Sequence, residues 1–198
     1  MQKVSVFCGS SMGSDPYYQN KAVELANYLL EHNMDLVYGG ASIGIMTVLA
    51  DTMLQKDGVA IGVMPKALID KEITHKGLTE LHVVESMSAR KDLIVKLSDA
   101  FVAFPGGMGT LDELSEILTL NQIRVEDKPV GILNLKGYFD PILDFVDNAV
   151  KEGFMREEHQ KNLIVSDSIP ELFEKMKAYQ PLSMKKWIED IKTESKNR

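Results

Sequence analysis

A pair of carboxylates follows a glycine-rich turn in the run Pro105-Gly106-Gly107-Met108-Gly109-Thr110-Leu111-Asp112-Glu113. Glycine lets the backbone approach a ligand closely, and the free amides at a helix N-terminus attract an anion. A carboxylate such as that of Glu113 can stabilise positive charge or activate a water molecule. The run therefore predicts an anion site beside an acidic catalytic group. The candidates for that site are Gly106, Gly107, Met108, Gly109 and Thr110.

Both carboxylates also have a structural interpretation. If a helix begins near Thr110, Asp112 lies in its first turn and complements the helix dipole. Glu113 follows Thr110 by three residues, which is the spacing of a capping box. Thr110 can either cap that helix or bind phosphate, and the sequence leaves both interpretations open.

Two further glycine-rich turns follow other strand-like segments, at residues 9–14 and 39–44. In a parallel sheet such turns meet at the carboxyl ends of the strands, where ligands bind. The first two turns add Ser10, Gly39 and Gly40 to the candidate binding residues. None of the three turns has the Walker pattern or a clean dinucleotide fingerprint, which disfavours a nucleoside triphosphatase or a dehydrogenase. A nucleoside monophosphate suits them better.

Arg90-Lys91 lies at the start of a predicted helix over residues 87–98. A solvated basic pair is the simpler interpretation. However, cations are disfavoured at the positive end of a helix, and this pair lies at the edge predicted to bind an anion. A guanidinium there could hold phosphate, or a catalytic carboxylate, in a bidentate grip.

The elements that must position these residues alternate along the chain. Short apolar runs at 4–8, 35–38, 59–64, 81–84, 100–104, 130–133 and 163–165 predict strands. Between them, helical spacing predicts helices from Asp15-Pro16 onward, through 45–53, and over 87–98, 110–124, 140–152 and 169–179. Residues 66–79 read as an irregular connection with a possible short helix. The pattern predicts an α/β fold, a Rossmann-like doubly wound parallel sheet with helices on both faces.

One nucleotide-binding domain over residues 1–180 accounts for most of the 198 residues. Residues 181–198 are expected to form a C-terminal helical tail docked by Trp187. The net charge of −7 argues against nucleic acid or an anionic membrane as a partner. A single cysteine, Cys8, excludes an intrachain disulfide, and the four scattered histidines suggest no metal site. We expect a cytoplasmic protein that needs no cofactor or metal.

The motif PGGxGTxxE over residues 105–113, with Arg90-Lys91 upstream, resembles the signature of the Lonely Guy family of cytokinin riboside 5′-monophosphate phosphoribohydrolases. The resemblance extends from Val4 to about Ala178. It implies hydrolysis of the N-glycosidic bond of adenosine monophosphate or its N6-substituted forms, giving a free base and ribose 5-phosphate. It also implies a homodimer or larger homo-oligomer, with the site completed near a subunit boundary. The lysine decarboxylase label that such proteins often carry has no support in this sequence.

The same resemblance implies roles for individual residues. Arg90 and Glu113 match the catalytic pair, and Arg90 is expected to keep Glu113 ionised. The positions that match the nucleotide site are Glu72, Lys91, Gly107, Gly109, Thr110 and Thr119. Ser88 stands where the family usually has histidine, which puts base preference or rate in question. Two alternatives stay open, namely a general nucleoside monophosphate nucleosidase and a non-enzymatic nucleotide sensor or carrier.

Overall fold

The computed structural model describes residues 1–69 and 73–181. Its strands are short. Five of the seven, β1, β2, β3, β5 and β6, are buried along their whole length or at every residue after the first, because helices cover them on both sides. They are β1 (Lys3–Phe7), β2 (Asp35–Tyr38), β3 (Ala60–Pro65), β4 (Glu80–Val84), β5 (Ala100–Ala103), β6 (Val130–Leu133) and β7 (Ile164–Ser166). They form one parallel sheet in the order β4-β3-β2-β1-β5-β6-β7.

Helices connect these strands. They are α1 (Pro16–Glu31), α2 (Gly44–Leu54), α3 (Lys66–Ile69), α4 (Met87–Leu97), α5 (Met108–Gln122), α6 (Asp140–Lys151), α7 (Glu157–Lys161) and α8 (Ile169–Lys177), with a 3-10 turn at Leu135–Gly137. Residues of α1, α2 and α8 pack on one face of the sheet, in a core that includes Val4 and Val6. Residues of α4 and α5, with partly buried ones of α6, pack on the other face with Phe7 and Phe101. The predicted doubly wound fold is confirmed.

The chain order places a topological switch point between β1 and β5. From β1 the chain winds outward through β2 and β3 to β4, and then returns to pair β5 with the other side of β1. The connections after β1 and β5 therefore diverge to opposite faces, leaving a crevice at the carboxyl ends of these strands. Two of the glycine-rich turns lie at this crevice.

Helix starts agree with the sequence in one case and differ in another. Asp15 caps α1, because its Oδ1 accepts a hydrogen bond from the Tyr17 amide at 2.9 Å, as predicted. In contrast, α5 begins at Met108 with Gly107 at the N-cap, two residues before the predicted start. Thr110 therefore lies within the first turn, so of the two interpretations left open, the one with Thr110 as cap and Glu113 in a capping box is wrong. Asp112 also lies beyond the first turn, where the helix dipole is weaker.

Other differences are small. The irregular connection contains the short helix α3, while α7 and the 3-10 turn were not predicted. The predicted tail helix and Trp187 lie outside the described residues. Within the described ranges, no helix has the length and apolar character needed to cross a lipid bilayer.

Candidate active site

The three glycine-rich turns contact one another directly. The Gly9 amide donates to the Pro105 carbonyl at 3.2 Å, and the Ile45 amide at the start of α2 donates to the Gly9 carbonyl at 3.1 Å. A Cβ on Gly44 would lie 2.3 Å from the carbonyl carbon of Ser10, so only glycine allows these two turns to approach this closely. The predicted convergence of the turns at one sheet edge is confirmed.

Two adjoining cavities open where the turns meet. The inner cavity, of about 230 Å³, lies between α4, α5 and the ends of β1 and β2. The outer cavity, of about 260 Å³, lies between the 9–13 turn and Tyr138. Ser10 and Gly107 line both cavities. Predicted site residues that line the inner cavity are Ser10, Gly39, Arg90, Gly107, Met108, Gly109, Thr110 and Glu113.

Arg90 is held from two sides at the wall of the inner cavity. Its Nε donates to the carbonyl oxygen of Val63 near the end of β3 at 3.0 Å. Its Nη1 lies 3.4 Å from Oε1 of Glu113, a single contact and not a bidentate grip. A Cβ on Gly39 would lie 1.9 Å from Arg90 Nη2, so the guanidinium occupies the space that a side chain at position 39 would need. Gly39 therefore shapes the site by its lack of a side chain.

Glu113 lies in the inner cavity with 14% of its side chain exposed. Burial raises the pKa of Glu113 to about 7, and the nearby charge of Arg90 lowers it only partly. The expectation that Arg90 keeps Glu113 ionised was therefore wrong, because desolvation of the carboxylate outweighs its attraction to one cation. A carboxyl that titrates near neutral pH can both accept and return a proton there.

Lys91 is not among the residues that line the inner cavity, and it joins α4 to α5. Its Nζ lies 3.2 Å from Oδ2 of Asp112 and 3.3 Å from Oε2 of Glu116. Burial lowers the pKa of Lys91, but hydrogen bonds to these two carboxylates outweigh burial, and the net result is a raised pKa. Lys91 thus links α4, the helix that carries Arg90, to α5, the helix that carries Glu113.

Thr110 lies in the first turn of α5 and is buried. Its Oγ1 has no hydrogen-bond partner among the described residues. A Cβ on Gly106 would lie 2.1 Å from this oxygen, so glycine at position 106 leaves the hydroxyl room. Around Gly107 and Gly109 there is open space where a side chain would begin. A buried hydroxyl, and the first amides of a helix, which have no intrahelical partner, are groups that bind an anion.

Several predicted residues lie elsewhere. Gly40 has a positive φ of 76° and packs against β3, outside both cavities. Gly106 lines the outer cavity only. Thr119 donates to the Ser115 carbonyl and lines a separate cavity near Tyr179, so a single chain does not bring it to Glu113. Glu72 lies outside the described residues.

Ser88, the departure from the family pattern, is exposed in the first turn of α4 and is not among the described residues that line the two cavities. Its neighbour Ser86 caps the helix by accepting from the Ala89 amide at 3.1 Å. The local structure of α4 therefore forms without a histidine at position 88.

The sequence missed some residues of the inner cavity, including Ser5, Tyr38 and Met46. Ser5 and Tyr38 lie inside strand-forming runs and look like core residues in the sequence. The only available signal was the polar Ser5 in an apolar run. Among the described residues, no group of three or more histidine, cysteine or acidic side chains could hold a metal ion.

Comparison with known proteins identifies the family. The family model described as "Possible lysine decarboxylase" matches residues 46–176. The cytokinin riboside 5′-monophosphate phosphoribohydrolase LOG3 of Arabidopsis thaliana is 42% identical over 180 residues, which cover 91% of this chain and 84% of that protein. The enzyme LOG of Oryza sativa subsp. japonica is also 42% identical, over 91% of this chain and 74% of that protein.

Solved structures show the same fold at lower identity. The molybdenum cofactor binding protein from Rippkaea orientalis has a TM-score of 0.67 and 21% identity, covering 89% of this chain and 96% of that chain. The molybdenum cofactor carrier protein of Chlamydomonas reinhardtii gives the same TM-score, identity and coverage. At this identity the likeness concerns the fold alone. The extent and identity of the sequence matches establish that the chain belongs to the Lonely Guy family of cytokinin riboside 5′-monophosphate phosphoribohydrolases.

Proposed function

We propose that this protein hydrolyses the N-glycosidic bond of cytokinin riboside 5′-monophosphates, releasing the free base and ribose 5-phosphate. The observation that carries the proposal is the buried Glu113 carboxyl, paired with Arg90 in a cavity beside the N-terminus of α5. Relatives that are 42–43% identical to this chain over 90–91% of its length carry this activity in their names.

Glu113 acts on the reacting carbon and on water. As the bond between C1′ and the base nitrogen breaks, positive charge develops on the ribose ring, and a carboxylate nearby stabilises it. Water attacks C1′ and gives up a proton to Glu113, while the base leaves with the electron pair of the broken bond and takes up a proton from solvent. Glu113 then returns its proton to solvent, so the net reaction consumes one water molecule. The raised pKa of Glu113 suits it to accept a proton near pH 7.

Arg90 positions the carboxylate. Its Nε is fixed on the Val63 carbonyl and its Nη1 faces Glu113. This leaves Nη2, above Gly39, as the donor available for a ribose or phosphate oxygen. Mere binding of a nucleotide would not require a buried acid next to this arginine, which favours the enzyme over a sensor or carrier.

The phosphate binds at the start of α5. The first amides of α5, which begins at Met108, have no partner within the helix, and the Thr110 hydroxyl has none among the described residues. Ser10 lines both cavities and supplies a further hydroxyl. Backbone amides and hydroxyls hold a dianion without a metal ion, and a helix N-terminus favours it electrostatically.

A homodimer, or a larger homo-oligomer, fits the surface of α6. None of the α6 residues is buried in the single chain, and Phe145 is 67% exposed. Phe154, which follows this helix, is 89% exposed. Large exposed aromatic side chains are typical of protein–protein contacts, so a second copy of this chain is the proposed partner. Light scattering should give at least twice the mass of one chain, and the Phe145→Asp variant should reduce that mass.

We also propose a cytoplasmic location, where the lone Cys8 stays reduced.

A panel of nucleoside 5′-monophosphates separates the possible activities. The purified protein is incubated with adenosine monophosphate, its N6-isopentenyl form, and the guanosine, cytidine and uridine monophosphates, and free bases are separated by chromatography. Release of N6-substituted adenine in preference to the others supports the proposal. Equal release of all bases would indicate a general nucleosidase, and no release from any would indicate a binding protein.

A further inference from the structure

Ser5 is a polar residue at the centre of an apolar layer. It lies in the middle of β1, in register with Val37 of β2 and Phe101 of β5. Alternation along the strand turns its side chain to the same face as Phe7, which is the face covered by α4 and α5. The residue is fully buried, and its Oγ has no hydrogen-bond partner among the described residues.

An unpartnered buried hydroxyl destabilises a folded protein, because it has lost its hydrogen bonds to water. Such a group calls for a partner, and the described residues do not provide one. Ser5 lines the inner cavity together with Glu113 and Ile94. The cavity volume of about 230 Å³ can hold several water molecules, since each occupies about 30 Å³ in the liquid. A water there needs two or more polar neighbours, and the Ser5 hydroxyl and the Glu113 carboxyl are two of them.

The geometry points to Ser5 as a positioning residue, whose hydroxyl holds the Glu113 carboxylate in place through a water molecule in the inner cavity. This role rests on the proposed function, because it supports the same carboxylate. The contact to Arg90 reaches only one carboxylate oxygen, at 3.4 Å. A second hydrogen bond, donated by the water molecule that Ser5 holds, would fix the plane of the carboxylate.

Removing this donor should also change the acidity of Glu113. Hydrogen bonds to a carboxylate favour its ionised form, so their loss raises its pKa. Charged and titratable groups from several elements lie around Glu113. They are Arg90 and Lys91 on α4, Asp112 and Glu116 on α5, the Cys8 thiol after β1, and the Tyr38 hydroxyl at the end of β2, which lines the same cavity. All of these stay in place when Ser5 is changed, so the effect of the hydroxyl can be measured alone.

The test compares Ser5→Ala and Ser5→Cys with a matched control, Ser98→Ala. Ser98 is also buried, but its Oγ donates to the Ile94 carbonyl at 2.8 Å at the end of α4. Ser5→Cys keeps a side chain of similar size but replaces the hydroxyl with a thiol, which is a weaker hydrogen-bond donor. If the alanine variant does not fold, the cysteine variant is used in its place. For the Ser5 variants we expect kcat to fall about tenfold with KM within about twofold, because an interaction that aligns the carboxylate is lost. The acid limb of the pH profile should move up by about one pH unit.

A second readout does not depend on activity. The carboxyl carbon of Glu113 is titrated by NMR in the free protein, in the original chain and in each variant. The inference is supported if both Ser5 variants raise the titration midpoint and Ser98→Ala does not. It is overturned if a folded Ser5 variant leaves the midpoint and kcat unchanged. If the original chain releases no base from any nucleotide, the proposed function fails, while the titration still decides whether Ser5 is coupled to Glu113.

Discussion

Substitution of Glu113 with glutamine should stabilise the folded protein at alkaline pH while it abolishes base release. Burial raises the pKa of Glu113 from 4.5 to about 7, and the Arg90 charge compensates only in part. In the unfolded chain the carboxyl is in water and ionises at its ordinary pKa. The folded state therefore binds the proton more tightly than the unfolded state, and ionisation of this group opposes folding.

The size of the effect follows from the two pKa values. The gap between 4.5 and about 7 corresponds to about 3 kcal/mol of unfolding free energy. Because the folded-state pKa is the higher one, this stability is present below pH 4.5 and is lost as the pH rises through 7. Glutamine has nearly the same shape and cannot ionise, so the variant keeps the stability at every pH.

Urea unfolding of both proteins between pH 4 and 8.5 measures this difference. The glutamine variant should match the original chain near pH 4 and exceed it by about 3 kcal/mol at pH 8. Glu31→Gln is the control, since that side chain is exposed at the end of α1, lines neither cavity, and has its charge screened by solvent. A difference that stays constant with pH would refute the reasoning. A difference of opposite sign would show that the Arg90 pair outweighs burial.

Three further substitutions test the parts of the site. Arg90→Ala should reduce kcat by at least about a hundredfold in a base-release assay, because Glu113 loses its positioning partner; a change in KM alone would make Arg90 a binding residue only. Gly39→Ala should also reduce kcat by about a hundredfold, because the new Cβ would occupy the place of Arg90 Nη2. Circular dichroism should show that the variant stays folded, and unchanged kinetics would contradict the described position of Arg90. Thr110→Ala should weaken nucleotide binding about tenfold by calorimetry, with recovery in Thr110→Ser, because a hydrogen bond to phosphate is lost. Equal affinities of these two variants would remove Thr110 from the phosphate site.

The sequence predicted the parts of the fold that depend on local patterns. The strand at residues 35–38 was predicted with its observed bounds, because a short apolar run ends at two glycines. The N-cap at Asp15 was predicted because its side chain and Pro16 are both typical of a helix start. The start of α5 was not predicted, because the Gly107 cap has no side chain to mark it and Gly109 is a poor helix former.

The candidate site was predicted in its components and not in its energetics. The convergence of three turns follows from parallel topology, and Glu113 and Arg90 stand out by their position after strands. The partners of Lys91 could not be predicted, since they depend on how α4 packs against α5. The raised pKa of Glu113 depends on the depth of the cavity, and the role inferred for Ser5 depends on which strand face that cavity reaches. Neither the depth of the cavity nor the strand face that it reaches can be read from a local sequence pattern.

The proposed role of Glu113 is tested most directly by the rate of base release from N6-isopentenyladenosine 5′-monophosphate, measured for the original chain and for Glu113→Gln. We expect the original chain to form N6-isopentenyladenine and ribose 5-phosphate in equal amounts. The variant should release no measurable base, while calorimetry shows that it still binds the nucleotide. Appreciable hydrolysis by Glu113→Gln, or no release by the original chain, would contradict the proposed function.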